Sequence, residues 1–189
     1  MRNDRLDFEK ELIEKARKGD TSAFRALVDE HKEKAVYTAY SALGNLSDAQ
    51  DAVQEAFVRV FHGLNGFKRG SRFSTWFYRI LVNLCRDELR KRKRDILESY
   101  VPDYDACTGV DNGPAKELMN KELKRKINAA LLRLSDKQQM VFLLKHKEGF
   151  KLEEIAEIMR LKVSTVKVHL FRAVRRLRGL LQNLEGGGL

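Results

Sequence analysis

Aromatic and cationic side chains interleave from Phe67 onward: Phe67, Lys68, Arg69, Gly70, Ser71, Arg72 and Phe73, then Trp76, Phe77, Tyr78 and Arg79, then Asn83, Arg86 and Arg90. An aromatic face beside a cation is how proteins hold unstacked single-stranded bases, with ring against base and charge against phosphate. Helical spacing splits the segment into two stripes. Phe73, Phe77, Ile80 and Leu84 are most simply core. Trp76, Arg79, Asn83, Arg86 and Arg90 make a polar stripe, with Trp76 able to serve either side. The loop from Gly63 to Arg72 is rich in glycine and cations, so it can approach a strand backbone closely or enclose an extruded base.

A second constellation lies near the end of the chain. Ile155, Ala156 and Met159 line the inner face of a short helix, the pattern breaks at Arg160 to Val163, and Val166, Leu170, Ala173 and Leu177 line a longer one. That is helix-turn-helix spacing. At about 100° per residue the opposite face of the second helix gathers Ser164, Val168, Arg172, Arg175 and Arg178, flanked by Lys167 and His169. Such a face suits a major groove, where cations hold phosphates and side chains near the helix start meet base edges. An ordinary helical hairpin with solvated arginines is the plainer alternative.

No comparable set supports catalysis or metal binding. Asp48 and Asp51 sit on an apolar-backed helix without histidine beside them, so an enzyme acting on nucleic acid lacks its ligands. Cys85 and Cys107 stand in dissimilar contexts with no cysteine or histidine at metal spacing and read as plain thiols. No cofactor, metal or small-molecule substrate is expected. The chain has no run of about 18 apolar residues, and its start is charged, so neither membrane insertion nor a signal peptide is expected and the cytoplasm is the natural compartment.

These constellations need helices to carry them. Before residue 95 apolar residues recur at helical spacing: Leu12, Ala16; Phe24, Leu27, Val28; Val36, Ala39, Tyr40, Leu43; Val53, Phe57, Val60, Phe61. Helix starts are expected at Asp20 or Thr21, at Ser47, and at Ser71 or Ser74, with stops at Gly44 and Gly63. Four more helical stretches are expected over residues 117–132, 136–147 (capped by Ser135), 152–159 and 164–181. Both prolines, Pro102 and Pro114, fall between them in a segment that also holds Gly109, Gly113 and several aspartates. The fold is therefore expected to be all-α: two small helical domains, residues 1–94 and 117–184, joined by a flexible acidic linker over 95–116.

The net charge of +10 is unevenly placed. Residues 1–60 carry 10 basic and 12 acidic side chains, residues 61–94 carry 10 and 2, residues 95–116 carry 1 and 5, and residues 117–189 carry 16 and 8. Two basic units separated by an acidic connector suggest a polyanionic partner, whereas the near-neutral first 60 residues suggest a different one. A stand-alone helix-turn-helix regulator would need only the second basic unit.

The string Asp48, Asp51, Gln54, Glu55, Phe57, followed by Phe67 to Gly70, Phe73, Thr75 to Ile80, Asn83 and Asp87 to Arg90, resembles the second conserved domain of extracytoplasmic-function sigma factors of RNA polymerase. Glu154 to Ile158 with Ser164, Thr165, Val166, Lys167, Leu170 and Arg172 resembles their C-terminal helix-turn-helix. The resemblance implies a factor that binds core RNA polymerase and promoter DNA, recognises and melts the promoter, and leaves catalysis to the polymerase; an anti-sigma factor is a family-typical partner. It implies polymerase contacts at Asp48, Asp51, Gln54, Glu55 and Phe57. It implies minus-ten contacts at Asn65, Phe67, Lys68, Arg69, Ser71, Arg72, Phe73, Trp76, Arg79, Asn83, Arg86 and Arg90. Minus-thirty-five contacts are implied at Ser164, Thr165, Lys167, His169, Arg172 and Arg175. The chain departs from the family's usual pattern in having Arg160 where the turn often has glycine, and Lys162 where a capping serine is common, which makes Ser164 the expected cap.

Overall fold

The computed structural model describes residues 2–67, 72–95 and 126–185; the side chains of residues 2–7, 93–95 and 183–185 are not considered. The expected acidic linker, 95–116, and Cys107 lie outside the described residues except for the helical backbone of Asp95. All described regular structure is helical: α1 (Arg2–Arg17), α2 (Thr21–Leu43), α3 (Leu46–Gly63), a 3₁₀ turn (Leu64–Gly66) and α4 (Phe73–Asp95) in the first half. The second half holds α5 (residues 126–132), α6 (Asp136–His146), α7 (Leu152–Met159) and α8 (Val163–Glu185).

The helix ends follow local chemistry. Asp20 caps α2, its Oδ1 accepting the N–H groups of Ser22 at 2.9 Å and Ala23 at 3.0 Å, a bond whose loss costs about 1 kcal/mol. Gly44 closes α2 in the left-handed region (φ 73°), donating to the Tyr40 carbonyl. For α3 the cap is Asn45, which accepts from the Asp48 N–H at 3.1 Å. It stands two residues before the expected Ser47, because Asn45 Oδ1 reaches an otherwise unpaired donor of the first turn. Ser135 occupies the cap position of α6 without a side-chain bond. Helix α8 begins at Val163, with the Lys162 carbonyl accepting from Val166 N–H, so Ser164 lies inside the first turn rather than capping it.

Helices α2 and α3 pack against each other, and Ala35, Ala39 and Ala42 of the first and Ala49 and Ala56 of the second are fully buried, small side chains that let neighbouring helices approach closely. Helix α4 lays Phe73 and Phe77 into the same core, with Phe57 stacked on Phe77 at 4.6 Å between ring centroids. The second half packs α6, α7 and α8 around Leu143, Leu144, Ile155, Ile158, Val166 and Ala173.

The two halves also touch, through α4 against α7 and α2 against α6, and their buried residues form one continuous core. Tyr78 of α4 meets Phe150 edge to face at 5.2 Å. Gln139 Nε2 donates to the buried Ser41 carbonyl at 2.8 Å, and Thr38 Oγ1 donates to the Glu148 carboxylate. A Cβ added at Gly44 would stand 3.3 Å from Leu132 of α5. None of the described helices is long and apolar enough to cross a membrane.

Candidate nucleic-acid and polymerase interfaces

The aromatic segment is divided by burial as its periodicity predicts for Phe73 and Phe77, whereas the contact role that the resemblance implies for Phe67 and Phe73 is not borne out by their exposure. Phe73 is fully buried and Phe67 is 8 % exposed, so both belong to the core and present no free ring to a base. The reason is a packed aromatic cluster: Phe67 lies 4.9 Å from Trp76 and 6.2 Å from Phe73. Trp76 itself is half-buried, one edge against Gly63, where a Cβ would sit 3.2 Å from the indole. Asn65 is exposed at the tip of the 3₁₀ turn. Lys68, Arg69 and Ser71 lie outside the described residues.

The cations beyond this cluster are committed within the protein to different degrees. Arg72 forms an ion pair with Glu154 at 2.7 Å and Arg79 one with Glu157 at 3.1 Å, both acids belonging to α7. Glu154 also accepts the Lys151 N–H at 2.7 Å, which places it in the first turn of α7 where a carboxylate is favoured. Asn83 and Arg86 are half-buried on the same stripe, and Arg90 is exposed beside Asp87 at 3.6 Å. The helix therefore presents its polar stripe partly to solvent and partly to α7. Burial pushes the Tyr78 hydroxyl well above the usual phenol range, with the Glu148 carboxylate adding to the effect. It likewise pushes the Cys85 thiol up to about 12, so that cysteine is an inert core residue.

On α3, Asp51 and Gln54 are exposed, and Glu55 is exposed beside Arg59 at 2.7 Å. Asp48 is half-buried and paired with Arg92 of α4, whose Nη1 also donates to the Leu43 carbonyl at 2.6 Å. Phe57 is buried at 7 % exposure, so it supports this face from beneath rather than presenting a free side chain to a partner. The exposed apolar residues are instead Val58 at 44 %, which the periodic set omits, and Phe61 at 46 %, which that set groups with the buried Val53, Phe57 and Val60. They flank a groove of about 740 Å³ between α2 and α3, lined by Phe24, Val28, Val36, Val53, Phe57 and Phe61 among others. The missed signal was a second apolar stripe: Val58 and Phe61 follow Gln54 on one face, whereas Val53, Phe57 and Val60 occupy the inner one.

Helix α8 leaves its outer face open. Ser164, Lys167, Arg172, Arg175 and Arg178 are exposed, Thr165 and His169 are half-buried, and no described acid pairs with Lys167, Arg172 or Arg175. Val168 at 46 % and Phe171 at 67 % exposure lie among these cations, and an exposed phenylalanine on a recognition helix can meet a thymine methyl. The helical pattern breaks at the turn as expected, where Arg160 is left-handed (φ 53°) and the Leu161 N–H bonds the Ala156 carbonyl at 2.9 Å. Partial burial, Lys137 of α6 and Arg172 together hold the His169 pKa below the usual imidazole range. Elsewhere, Glu9, Glu30 and His31 bring potential ligand atoms within 4.8 Å of one another, but each is engaged in interactions within the protein.

Residues 27–95 match the sigma-70 region 2 family model, and residues 124–177 match sigma-70 region 4. The chain is 37% identical over 182 residues to the ECF RNA polymerase sigma factor SigW of Bacillus subtilis, a match covering 93% of this chain and 97% of that one. It belongs to the extracytoplasmic-function sigma factors. The ECF sigma-E factor of Haemophilus influenzae is 33% identical over 183 residues, covering 92% and 95% of the two chains. Among solved structures, CnrH in complex with the cytosolic domain of CnrY matches with a TM-score of 0.71 and 26% identity, over 94% of this sigma factor and 99% of that chain. The sigma factor RpoE of Bartonella quintana, in complex with the anti-sigma factor NepR, matches with a TM-score of 0.72 and 25% identity, over 84% and 96%. As a sigma factor, this chain binds core RNA polymerase and promoter DNA and directs the initiation of transcription.

Proposed function

We propose that the work of this sigma factor is divided among three surfaces within two domains, 1–94 and 117–184, joined by the 95–116 linker. The exposed α3 face, with Asp51, Gln54, Glu55, Val58 and Phe61, docks on core polymerase, and Asp48 and Phe57 support it. Asn65, Trp76, Arg79, Asn83, Arg86 and Arg90, with the loop cations Lys68, Arg69 and Arg72, serve minus-ten recognition and melting. Ser164, Thr165, Lys167, His169, Arg172 and Arg175, joined by Phe171, serve the minus-thirty-five element. The factor acts in the cytoplasm and has no catalysis of its own.

The observation that carries this division is the separation of surface chemistry: α3 presents acids beside an apolar groove, whereas the outer faces of α4 and α8 are basic. An acidic and apolar face repels phosphate and suits a protein partner. Asp51→Arg with Glu55→Arg should abolish co-purification with core polymerase while the far-ultraviolet spectrum and melting temperature stay near those of the parent chain. Retained co-purification would place the polymerase contact elsewhere.

The pairing of Arg72 and Arg79 with Glu154 and Glu157 supports a further part of this reading. Acids of α7 occupy cations that a promoter strand would need, so the packed arrangement is the DNA-free form, and the halves separate when each engages its promoter element. An anti-sigma factor that holds the packed form would then compete with core polymerase.

A further inference from the structure

The 3₁₀ turn at the end of α3 is held from an unexpected direction, by α1. Arg17 Nε donates to the Leu64 carbonyl at 3.0 Å and Arg17 Nη2 donates to the Phe67 carbonyl, so one guanidinium spans both ends of the turn. Its third nitrogen is fixed by Glu14 at 2.7 Å, and the side chain is only 15 % exposed. The guanidinium carbon also lies 6.0 Å from the Phe67 ring centroid. Trp76 also packs on Phe67 and closes against Gly63. The turn is therefore held by a planar cation of α1 and contacted by an indole of α4. Only its tip is free: Asn65 and Gly66 are exposed, and a Cβ on Gly66 would meet nothing within 4 Å.

We propose that Arg17 is a positioning residue for minus-ten base selection, holding the Leu64–Phe67 turn so that Asn65 and Gly66 meet the strand in one fixed geometry. This rests on the proposed minus-ten role of that turn. Base discrimination needs contacting groups held to about half an ångström, which a short surface turn ending in the bond from Phe67 N–H to the Leu64 carbonyl at 3.1 Å does not supply alone. Arginine suits the task because its donors are rigid and coplanar, so two carbonyls are fixed relative to each other. A lysine offers a point charge on a flexible stem and bridges them poorly. Arg17 precedes the region 2 match, which begins at residue 27, so the family model carries no role for it.

The test uses holoenzyme reconstituted from the full chain and measures open-complex formation on promoters carrying each base at the minus-ten positions. Arg17→Gln should reduce the preference for the favoured base by about tenfold, the loss expected for hydrogen bonds to a charged group. Affinity for core polymerase should stay unchanged, and Arg17→Lys should recover only part of the preference. A purely structural role would instead lower output on all templates by the same factor. Asn65→Ala, at the exposed tip, separates the two ideas. If it alters base preference and Arg17→Gln does not, the positioning role is overturned; if neither does, the minus-ten reading of the turn fails as well. Should Arg17→Gln not fold, Arg17→Lys is read in its place, and an unchanged preference there overturns the proposal.

Discussion

Helices α4 and α8 are both 23 residues long and both basic, yet the first is partly covered by α7 and the second open. The cations Arg72, just before α4, and Arg79 within it are met by two glutamates of α7, and the aromatics Phe67 and Phe73 are drawn into the core. On α8, Lys167, Arg172 and Arg175 face solvent with Phe171 between them. The difference teaches that a basic, aromatic sequence states what a surface can bind, whereas packing decides which side chains are free to bind it.

The sharpest way to test the contrast is to truncate the same residue type on each element. Phe73→Ala removes a fully buried ring and should cost about 3–5 kcal/mol of folding free energy, read from urea or thermal melts. Phe171→Ala, at 67 % exposure, should change stability by less than about 0.5 kcal/mol. It should nevertheless weaken binding to a minus-thirty-five duplex by on the order of 1 kcal/mol through lost contact with a thymine methyl. A large stability loss from Phe171→Ala, or none from Phe73→Ala, would invert the comparison.

The cover over α4 can be attacked directly. Arg79 and Glu157 are 32 % and 54 % exposed, so their attraction alone is worth at most about 1 kcal/mol. Glu157→Arg replaces that attraction with repulsion beside Arg79 and should expand the free factor, visible as a larger radius of gyration in solution scattering. The charge swap, Glu157→Arg with Arg79→Glu, should restore compactness. An unchanged radius in the single variant would mean that Tyr78 on Phe150 and Gln139 on the Ser41 carbonyl hold the halves without help from charge.

Sequence periodicity carried much of the helical layout, for reasons visible at particular residues. Asp20 and Gly44 act where their chemistry says they should, since an aspartate cap and a left-handed glycine are local devices. Ser47 was the wrong start because Asn45, two residues earlier, offers an equally good acceptor and only geometry separates them. Periodicity marked Phe57 and Phe73 as inner and burial agrees; only the resemblance put them, with Phe67, among contact positions. The pairs Arg72 with Glu154 and Arg79 with Glu157 lie 82 and 78 residues apart, beyond any helical period. The grip of Arg17 on the turn at Leu64 and Phe67 was illegible for the same reason.

A smaller effect concerns the turn that aims α8. Arg160 has φ 53°, a conformation that costs a side-chain-bearing residue roughly 1 kcal/mol relative to glycine. Arg160→Gly should therefore be neutral or stabilising by up to about 1 kcal/mol in a thermal melt, since relief of strain competes with the greater freedom of glycine in the unfolded chain. A clear fall in melting temperature would show that the Arg160 side chain supports α8 in a way the backbone does not reveal.

The smallest effect separates the two helices by pH. His169 sits on the open face of α8, its pKa lowered first by partial burial and then by Lys137 and Arg172. A depressed imidazole binds fewer protons when folded than when unfolded. The associated stability is therefore fully present above the ordinary histidine pKa and is lost as pH falls through it toward the lowered native value. DNA reverses the local sign, because phosphates favour the imidazolium and offset the two neighbouring cations. Binding to a minus-thirty-five duplex should take up protons and tighten a few-fold between about pH 7 and about pH 6 at low salt, where charge effects are least screened. His169→Gln should flatten that dependence while leaving affinity at neutral pH within about twofold, because the parent imidazole is largely uncharged there. If the variant keeps the full pH dependence, His169 lies outside the phosphate field and the open face of α8 ends before it.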